Sequence, residues 1–463
     1  MKPHRIALAS LASHSIGNVI YRLASLALVA IYADRLGPDA FGRLEQLLAV
    51  SLLIIPVVSL QVQEAFLPVY WKMPDCGAQT AGAMIVVVIV AVAAVGGAFY
   101  FLNDISATIV SALVLHVATT IAWQFIRNLV RATQKLRSLL LGEVLQSCVL
   151  LVSGIALLNA GVGFVGAIAA IAIGNAVACA CTIFAADKVR EALDPREASW
   201  FGFREIVRIS SKLVPNVMLW WVIELSDRLI LAHFMGDHDV GIYSAGARMA
   251  GIGMAACLLV YQSWQVLAIR SLGNEGAGAF FQTTLYWYAA GVSLIFSALL
   301  CFIDPLSNLL FGGQFEESGK YAAALIPGFY LSAFCYFFGV ILYRSESGVS
   351  PWQASSAGFV VSVAVNFSLI PVVGLYAAAL ASFLAYATIL LFRYNESAQS
   401  MRVKLRFVKF LVPLLILMAQ GISIIAGASP GITAIGFVAL VALWWREIVP
   451  FLRSIGSATF SRT

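Results

Sequence analysis

Charge is scarce in this chain. Only 11% of its 463 residues are Asp, Glu, Lys or Arg, where soluble domains carry about 25%. That deficit excludes an ordinary water-soluble globule, because 61% of the chain is hydrophobic. No Gly-Lys-Ser/Thr phosphate loop, no His-Glu-x-x-His pair and no polar segment large enough for an ATPase occurs. The seven cysteines have neither metal nor redox spacing. Cys179 and Cys181 stand two apart and so point to different faces of a helix. Neither a cofactor nor a metal is therefore expected, and no enzyme. The net charge of +6 needs no nucleic-acid partner, since cytoplasmic loops of membrane proteins accumulate Lys and Arg. A cleaved leader is not expected either. Lys2 and Arg5 precede an apolar run, but Asn18, Arg22 and Asp34 interrupt it and no small-residue cleavage site follows.

What is present is a succession of long apolar runs. A membrane span needs roughly 20 such residues. Fourteen candidates fall at 12–35, 43–68, 80–101, 105–126, 139–159, 163–185, 213–235, 240–267, 281–303, 321–343, 353–371, 373–393, 407–427 and 430–450. The eleventh and twelfth adjoin at Val372–Gly374. Basic residues cluster on alternate connections: Arg127, Arg131, Lys135 and Arg137; then Lys188, Arg190, Arg196, Arg204, Arg208 and Lys212; then Arg393, Arg402, Lys404, Arg406 and Lys409. The opposite connections carry few. By the positive-inside rule the three basic loops and both termini are cytoplasmic.

The connection 187–212 interleaves Trp200, Phe201, Phe203, Ile206 and Val207 with Arg204, Arg208 and Lys212, the pattern of an amphipathic helix on the inner leaflet. It divides the chain into an N-lobe of six spans at 1–186 and a C-lobe of six at 213–394. Residues 395–463 hold the last two spans and a tail. Two echoes support related halves. Gly37-Pro-Asp-Ala-Phe-Gly42 and Gly236–Gly241 carry glycines at one spacing between apolar runs. Gly163-Phe-Val-Gly-Ala and Gly374-Leu-Tyr-Ala-Ala open the sixth and twelfth spans. An even number of spans per half makes the repeats parallel.

Charges inside spans are rare and usually functional. Arg22 lies about 15 Å into the first span, near the bilayer middle. Ser15, Asn18, Arg22 and Ser25 form a polar stripe, which should face a cavity; the alternative is an Arg paired with a buried acid. Glu224 and Arg228 stand four apart in the order favoured for an intrahelical pair. Asn216, Trp220, Glu224 and Asp227 share one face. Either the pair is structural and self-neutralised, or Glu224 and Asp227 serve a cation or substrate. Arg248 lies some 12 Å into the eighth span. Asn175 and Asn366 are read as interhelical hydrogen bonders, His116 as a neutral core residue. Glu64 and Glu143, near span ends, are expected to reach water.

Three motifs carry a resemblance. Asp227-Arg-x-x-Leu, then Gly236 and Val240-Gly-Ile-Tyr-Ser-x-x-x-Arg248, resembles the start of the second half in Wzx-type polysaccharide exporters. These belong to the multidrug/oligosaccharidyl-lipid/polysaccharide superfamily. Arg35-Leu-Gly-Pro-x-x-Phe-Gly42 resembles their first hairpin, and Pro305–Phe315 their ninth-to-tenth loop. The resemblance implies an all-α fold of two parallel six-helix lobes around a central cavity, with two further C-terminal helices. It implies a flippase in the bacterial inner membrane for polyprenyl-diphosphate-linked oligosaccharide, feeding O-antigen, capsule or exopolysaccharide synthesis. Its partners would be that lipid-linked substrate, membrane lipids, and the polymerase and glycosyltransferases of the pathway. On this reading Arg22 and Arg248 meet the diphosphate, with Asn18, Trp220 and Tyr243 also lining the substrate path. Trp221, Tyr261, Gln262 and Trp264 offer further sugar-binding surface, and Glu224 and Asp227 are ion-coupling candidates.

Two relatives compete. A multidrug antiporter would need embedded acids, yet the first span has only Asp34 at its outer end. A peptidoglycan-precursor flippase would carry arginines in the first, second and eighth spans; here the second has only Arg43, at its mouth. A non-transport scaffold is the third class. The topology is open to test: Cys replacing Asp237 or Gly313 should react with impermeant thiol reagents from the periplasmic side. Reaction only from the cytoplasm would overturn the fourteen-span arrangement.

Overall fold

The structure is a computed structural model that describes residues 3–63, 106–133, 136–187, 200–212, 214–271, 276–341, 351–401 and 406–460, with isolated positions between. All regular structure among the described residues is helical. The third span, at 80–101, Glu64 and most of the linker before Trp200 lie outside them. The other thirteen spans each coincide with a helix.

The first two spans form one element, α1 (Pro3–Ser59), broken at Gly37. There φ is 74°, a left-handed value that glycine adopts without a Cβ clash. Pro38 follows as the first residue of the second arm, where its missing N–H is no loss. Then come α2 (Ala107–Ala132), α3 (Leu136–Asn159), α4 (Phe164–Ala185), the short α5 (Trp200–Ser210) and α6 (Val214–Met235). Gly236, at φ 90°, ends α6 as Gly37 ends the first arm. Asp237 and Asp239 then start α7 (Asp237–Ser271), where carboxylates suit the positive end of the helix dipole. The chain continues through α8 (Ala277–Cys301), α9 (Ile303–Leu310), a short 3-10 turn (Gly313–Phe315), α10 (Ser318–Ile341), α11 (Pro351–Val373) and α12 (Leu375–Met401). It ends with α13 (Phe407–Ile425) and α14 (Gly431–Phe460). The second sequence echo also has one conformation in both copies. Gly163 has φ 67° and Gly374 φ 70°, each a sharp turn before a helix, and Gly374 is what separates α11 from α12.

Ten of the described helices are long and apolar enough to cross a membrane, or eleven if the bent pair of α5 and α6 is one span. The first of them, Val19–Ser59, runs 41 residues through the break at Gly37, about twice a bilayer's requirement. The protein is a multi-pass membrane protein.

The chain forms two compact units, Met1–Leu229 and Ile230–Thr463. In the first, α3 packs on α4 and α1, and α4 on α2. Tyr32 donates to the Gly154 carbonyl at 2.9 Å, across α1 and α3. Gln146 donates to Asn175 at 2.6 Å and Asn175 to Thr120 at 3.0 Å, so an amide network joins α3, α4 and α2 as expected of Asn175. At one end Ile206 of α5 is buried in a cluster with Trp123, Phe125, Leu129 and Leu139. The amphipathic helix is thus docked on the bundle through its apolar face, while Arg204 and Arg208 stay exposed.

In the second unit α10 is the centre, packed by α7, α12 and α13. Glycine permits the closest approach. A Cβ on Gly246 of α7 would lie 2.6 Å from the Ser318 carbonyl and 2.9 Å from the Ala322 nitrogen of α10. The final pair, α13 and α14, is bound into this unit: Ser297 of α8 donates to Gln420 at 3.0 Å, and Gln420 donates to the Thr433 carbonyl at 2.6 Å.

Several side chains depart from the sequence reading. Glu143 does not reach water; it is 2% exposed and pairs with Arg127 at 3.3 Å. Gly17 makes room for that carboxylate against α1. Asn366 donates to Ser362 of its own helix at 3.5 Å, not to a neighbour. Arg393 is no loop residue. Helix α12 runs on to Met401, and Arg393 is buried, donating to the Cys335 carbonyl of α10 at 2.6 Å. Trp264 is taken up in packing, stacked on Phe337 at 4.3 Å and edge-on to Phe281.

Gly246→Leu should lower the thermal midpoint in detergent, since overpacking against main chain costs ~1–3 kcal/mol. Gly291→Ala, where a Cβ meets nothing within 4 Å, should not. Equal midpoints for the two variants would contradict the close α7–α10 approach.

Candidate functional site

Helix α6 brings the charges together. Its apolar run forces a helix through Ile223–Leu231, and residues 225–228 are buried. The second arm of α1 lies against them and supplies Glu45, which is 2% exposed. Arg228 Nε lies 3.7 Å from Glu45 Oε2, and Nη1 lies 3.4 Å from Asp227 Oδ1. Nη1 also donates to the Glu224 main-chain carbonyl at 3.1 Å. The Arg228 backbone N–H donates to Asp227 Oδ1 at 2.7 Å. So the expected intrahelical contact exists, but it goes to the carbonyl of Glu224. The carboxylates that pair with Arg228 are those of Asp227 and Glu45.

This leaves the Glu224 side chain to longer-range partners. It is acted on by Arg228, Asp227 and Arg22. Arg22, on the first arm of α1, is exposed on the protein surface. Asn18 lies one turn before it, but its side chain lies outside the described residues. Trp220 is half-buried one turn before Glu224. The first unit therefore assembles Arg22, Glu224, Asp227, Arg228 and Glu45. Arg248 and Tyr243 belong to the second unit, on α7; Arg248 is half-buried and Tyr243 has no exposed surface.

Glu45 escaped the sequence reading. It lies inside the second apolar run and satisfies the same criterion that singled out Glu224, a carboxylate within a span.

The cluster counts three carboxylates, Glu45, Glu224 and Asp227, against two guanidiniums, Arg22 and Arg228. Among the described residues no group of three or more His, Cys, Asp or Glu is placed to hold a metal ion. The six described cysteines are free thiols. Elsewhere in the unit, Arg35, Leu36, Leu158, Asn159, Gly161 and Gly163 line an open cavity of about 360 Å³ where the break in α1 meets the α3–α4 turn.

Residues 76–263 match the family model described as polysaccharide biosynthesis protein. No curated protein matches the chain. Among solved structures, the lipid II flippase MurJ in an inward closed conformation is similar with a TM-score of 0.71 at 10% identity, covering 94% of this chain and 99% of that one. An outward-facing multidrug resistance MATE family transporter gives 0.61 at 15% identity, over 87% of this chain and 96% of that one. A transporter from Pyrococcus furiosus, described as having a binding pocket of reverse polarity, gives 0.59 at 15% identity, over 87% and 98%. The fold is that of these transporters, as the resemblance implied.

Removing one partner of a buried ion pair leaves an uncompensated charge. Arg228→Met should therefore destabilise the protein by about 3–5 kcal/mol, read as a lowered thermal midpoint and reduced folded yield. Adding Glu45→Gln should restore part of it. If the double variant is no more stable than Arg228→Met alone, the Arg228–Glu45 pair is not what holds α6 to α1.

Proposed function

We propose that the chain is a flippase that moves a polyprenyl-diphosphate-linked oligosaccharide from the inner to the outer leaflet of a bacterial inner membrane, with both termini cytoplasmic. The observation that carries this reading is Arg22: an exposed guanidinium in an apolar span, acting on the Glu224 carboxylate. A guanidinium presents a planar fork of donors to phosphate oxygens, and a diphosphate removed from water needs such partners. Arg248, half-buried in α7, is the second cation of the proposal. The match of residues 76–263 to a polysaccharide biosynthesis model supports the glycan. The likeness to a structure named as a lipid flippase supports a lipid-linked cargo. O-antigen, capsule or exopolysaccharide assembly would consume the product, through a polymerase and glycosyltransferases. No bond is made or broken on this reading, so no cofactor is required.

The route follows from charge. When the diphosphate reaches Arg22 it competes with Glu224 for the guanidinium. Asn18 and Trp220, each one turn from a charged member of that pair, would meet the sugar side. A diphosphate with about two negative charges gains roughly 4–5 kcal/mol crossing outward through 100 mV, inside negative. Potential alone can thus favour export if the arginines stay behind. The acids within α6 favour a second reading, cation-coupled exchange through Glu224 and Asp227, as in a multidrug antiporter.

Transport of labelled lipid-linked sugar in proteoliposomes separates the two. Arg22→Ala should slow flipping per folded molecule about tenfold or more, the worth of a charge-assisted contact; Arg22→Lys should lose less. A valinomycin-set, inside-negative potential should speed flipping without a sodium or pH gradient. Wild-type flipping by a well-folded Arg22→Ala protein would sink the proposal. Ethidium efflux with a strict need for sodium or protons would favour the antiporter.

A further inference from the structure

Three spans end at one place in the first unit. The first arm of α1 breaks at Gly37, α3 closes at Asn159, and α4 opens after Gly163. These ends are fixed against one another. Tyr32, with no exposed surface, donates to the Gly154 carbonyl at 2.9 Å, and a Cβ on Gly166 would lie 3.0 Å from the same hydroxyl. Next to these anchors is the open cavity of about 360 Å³, within the range of small-ligand sites. Part of its wall is bare main chain, since a Cβ on Gly161 or Gly163 would meet nothing within 4 Å. Its polar side chains are Asn159 and Arg35, the latter about one turn after Tyr32; Leu36 and Leu158 line it too.

Asp34 precedes Arg35. Both side chains are exposed, and among the described residues neither forms an ion pair, with the other or with a third group. A carboxylate and a guanidinium thus stand side by side, unjoined, at span ends, the depth at which a bilayer presents its headgroups. What adjoins them identifies the ligand. On α3, Cys148, Val152 and Ile155 are exposed along one face, and Asn159 carries that face to the cavity. An apolar stripe that ends at one cation, one amide and a neighbouring acid suits a molecule with a zwitterionic head and an acyl tail. A water-soluble anion does not use the stripe. A head of net negative charge meets the Asp34 carboxylate.

We propose that this corner of the first unit binds a phospholipid whose head carries a primary amine. Its phosphate lies on Arg35 and Asn159, its ammonium on Asp34, and one acyl chain along Val152 and Ile155. An ammonium donates N–H hydrogen bonds that a trimethylated amine lacks, so the site prefers phosphatidylethanolamine to phosphatidylcholine. Arg35 stands thirteen residues from Arg22, about 20 Å along α1. The site is therefore separate from the Arg22 cluster and does not depend on the flippase reading. The full-length protein in nanodiscs of equal parts phosphatidylethanolamine, phosphatidylcholine and phosphatidylglycerol gives the test, with the lipids it retains counted by native mass spectrometry.

The wild type should retain phosphatidylethanolamine over both other lipids. Asp34→Asn should remove its preference over phosphatidylcholine, while Arg35→Gln should lower retention of both, each by up to about fivefold, the worth of one exposed charge pair. Arg35→Lys should lose less. Millimolar inorganic phosphate should displace little lipid, because it cannot use the apolar stripe. Equal retention of phosphatidylethanolamine and phosphatidylcholine by the wild type would overturn the proposal, whatever the variants do. So would unchanged retention in both Asp34→Asn and Arg35→Gln, a preference for phosphatidylglycerol, or full displacement by inorganic phosphate. Flipping of lipid-linked sugar, measured on the same samples, reports on the other reading independently.

Discussion

A charge inside a bundle of apolar helices must be answered within reach of its side chain, because the hydrocarbon around it offers nothing. Much of the described architecture follows from that demand. Arg228 draws the second arm of α1 to α6 through Glu45. Arg127 fixes α2 to α3 through Glu143, and Gly17 clears the space for that carboxylate. Arg393 donates to a main-chain carbonyl of α10. Each solution ties one helix to another, so the charges that look like faults in an apolar run become its cross-links. The backbone itself is satisfied by the helices, which leaves side chains to decide which helix meets which.

The helices were legible because their signal is local. A run of about 20 apolar residues announces a span from its own composition, and the glycine turns announced where spans end. Gly37 and Gly236 adopt left-handed φ, as do Gly163 and Gly374. The repeat seen in the letters is thus a repeat of backbone conformation, visible in sequence because only glycine tolerates it cheaply. Arg393 shows where this reading fails. A basic residue after an apolar run is scored as loop by its charge, yet the helix continued past it and buried it.

The charged cluster was half legible, for a different reason. Glu224, Asp227 and Arg228 stand on one helix, and helical spacing brings them together on paper. Glu45 stands more than 180 positions away, and no periodicity links it to Arg228. The same holds for Glu143, whose burial depends on Arg127 and Gly17 in two other helices. Spacing along one helix also misled at Glu224. The i,i+4 rule places the two side chains side by side, but a long guanidinium can reach past the carboxylate to the carbonyl beneath it. Asn366 met the same competition and settled on its own helix, where Asn175 had partners at the right height in α3 and α2.

These unequal pairings bear on what the cluster can do. Arg228 is committed: it is 9% exposed and engages two carboxylates and a carbonyl, so exchanging any of them leaves a buried charge behind. Arg22 is held differently. It is exposed and near enough to act on Glu224. Of the two guanidiniums it is the more exposed and so the more accessible to an incoming anion. An incoming diphosphate would then release Glu224, leaving its carboxylate near Asp227 and Arg228. On the proposed reading, therefore, anion binding at Arg22 and proton binding at Glu224 favour one another through a shared residue. That coupling would let one cluster serve potential-driven export and cation exchange alike, with substrate chemistry deciding which is used.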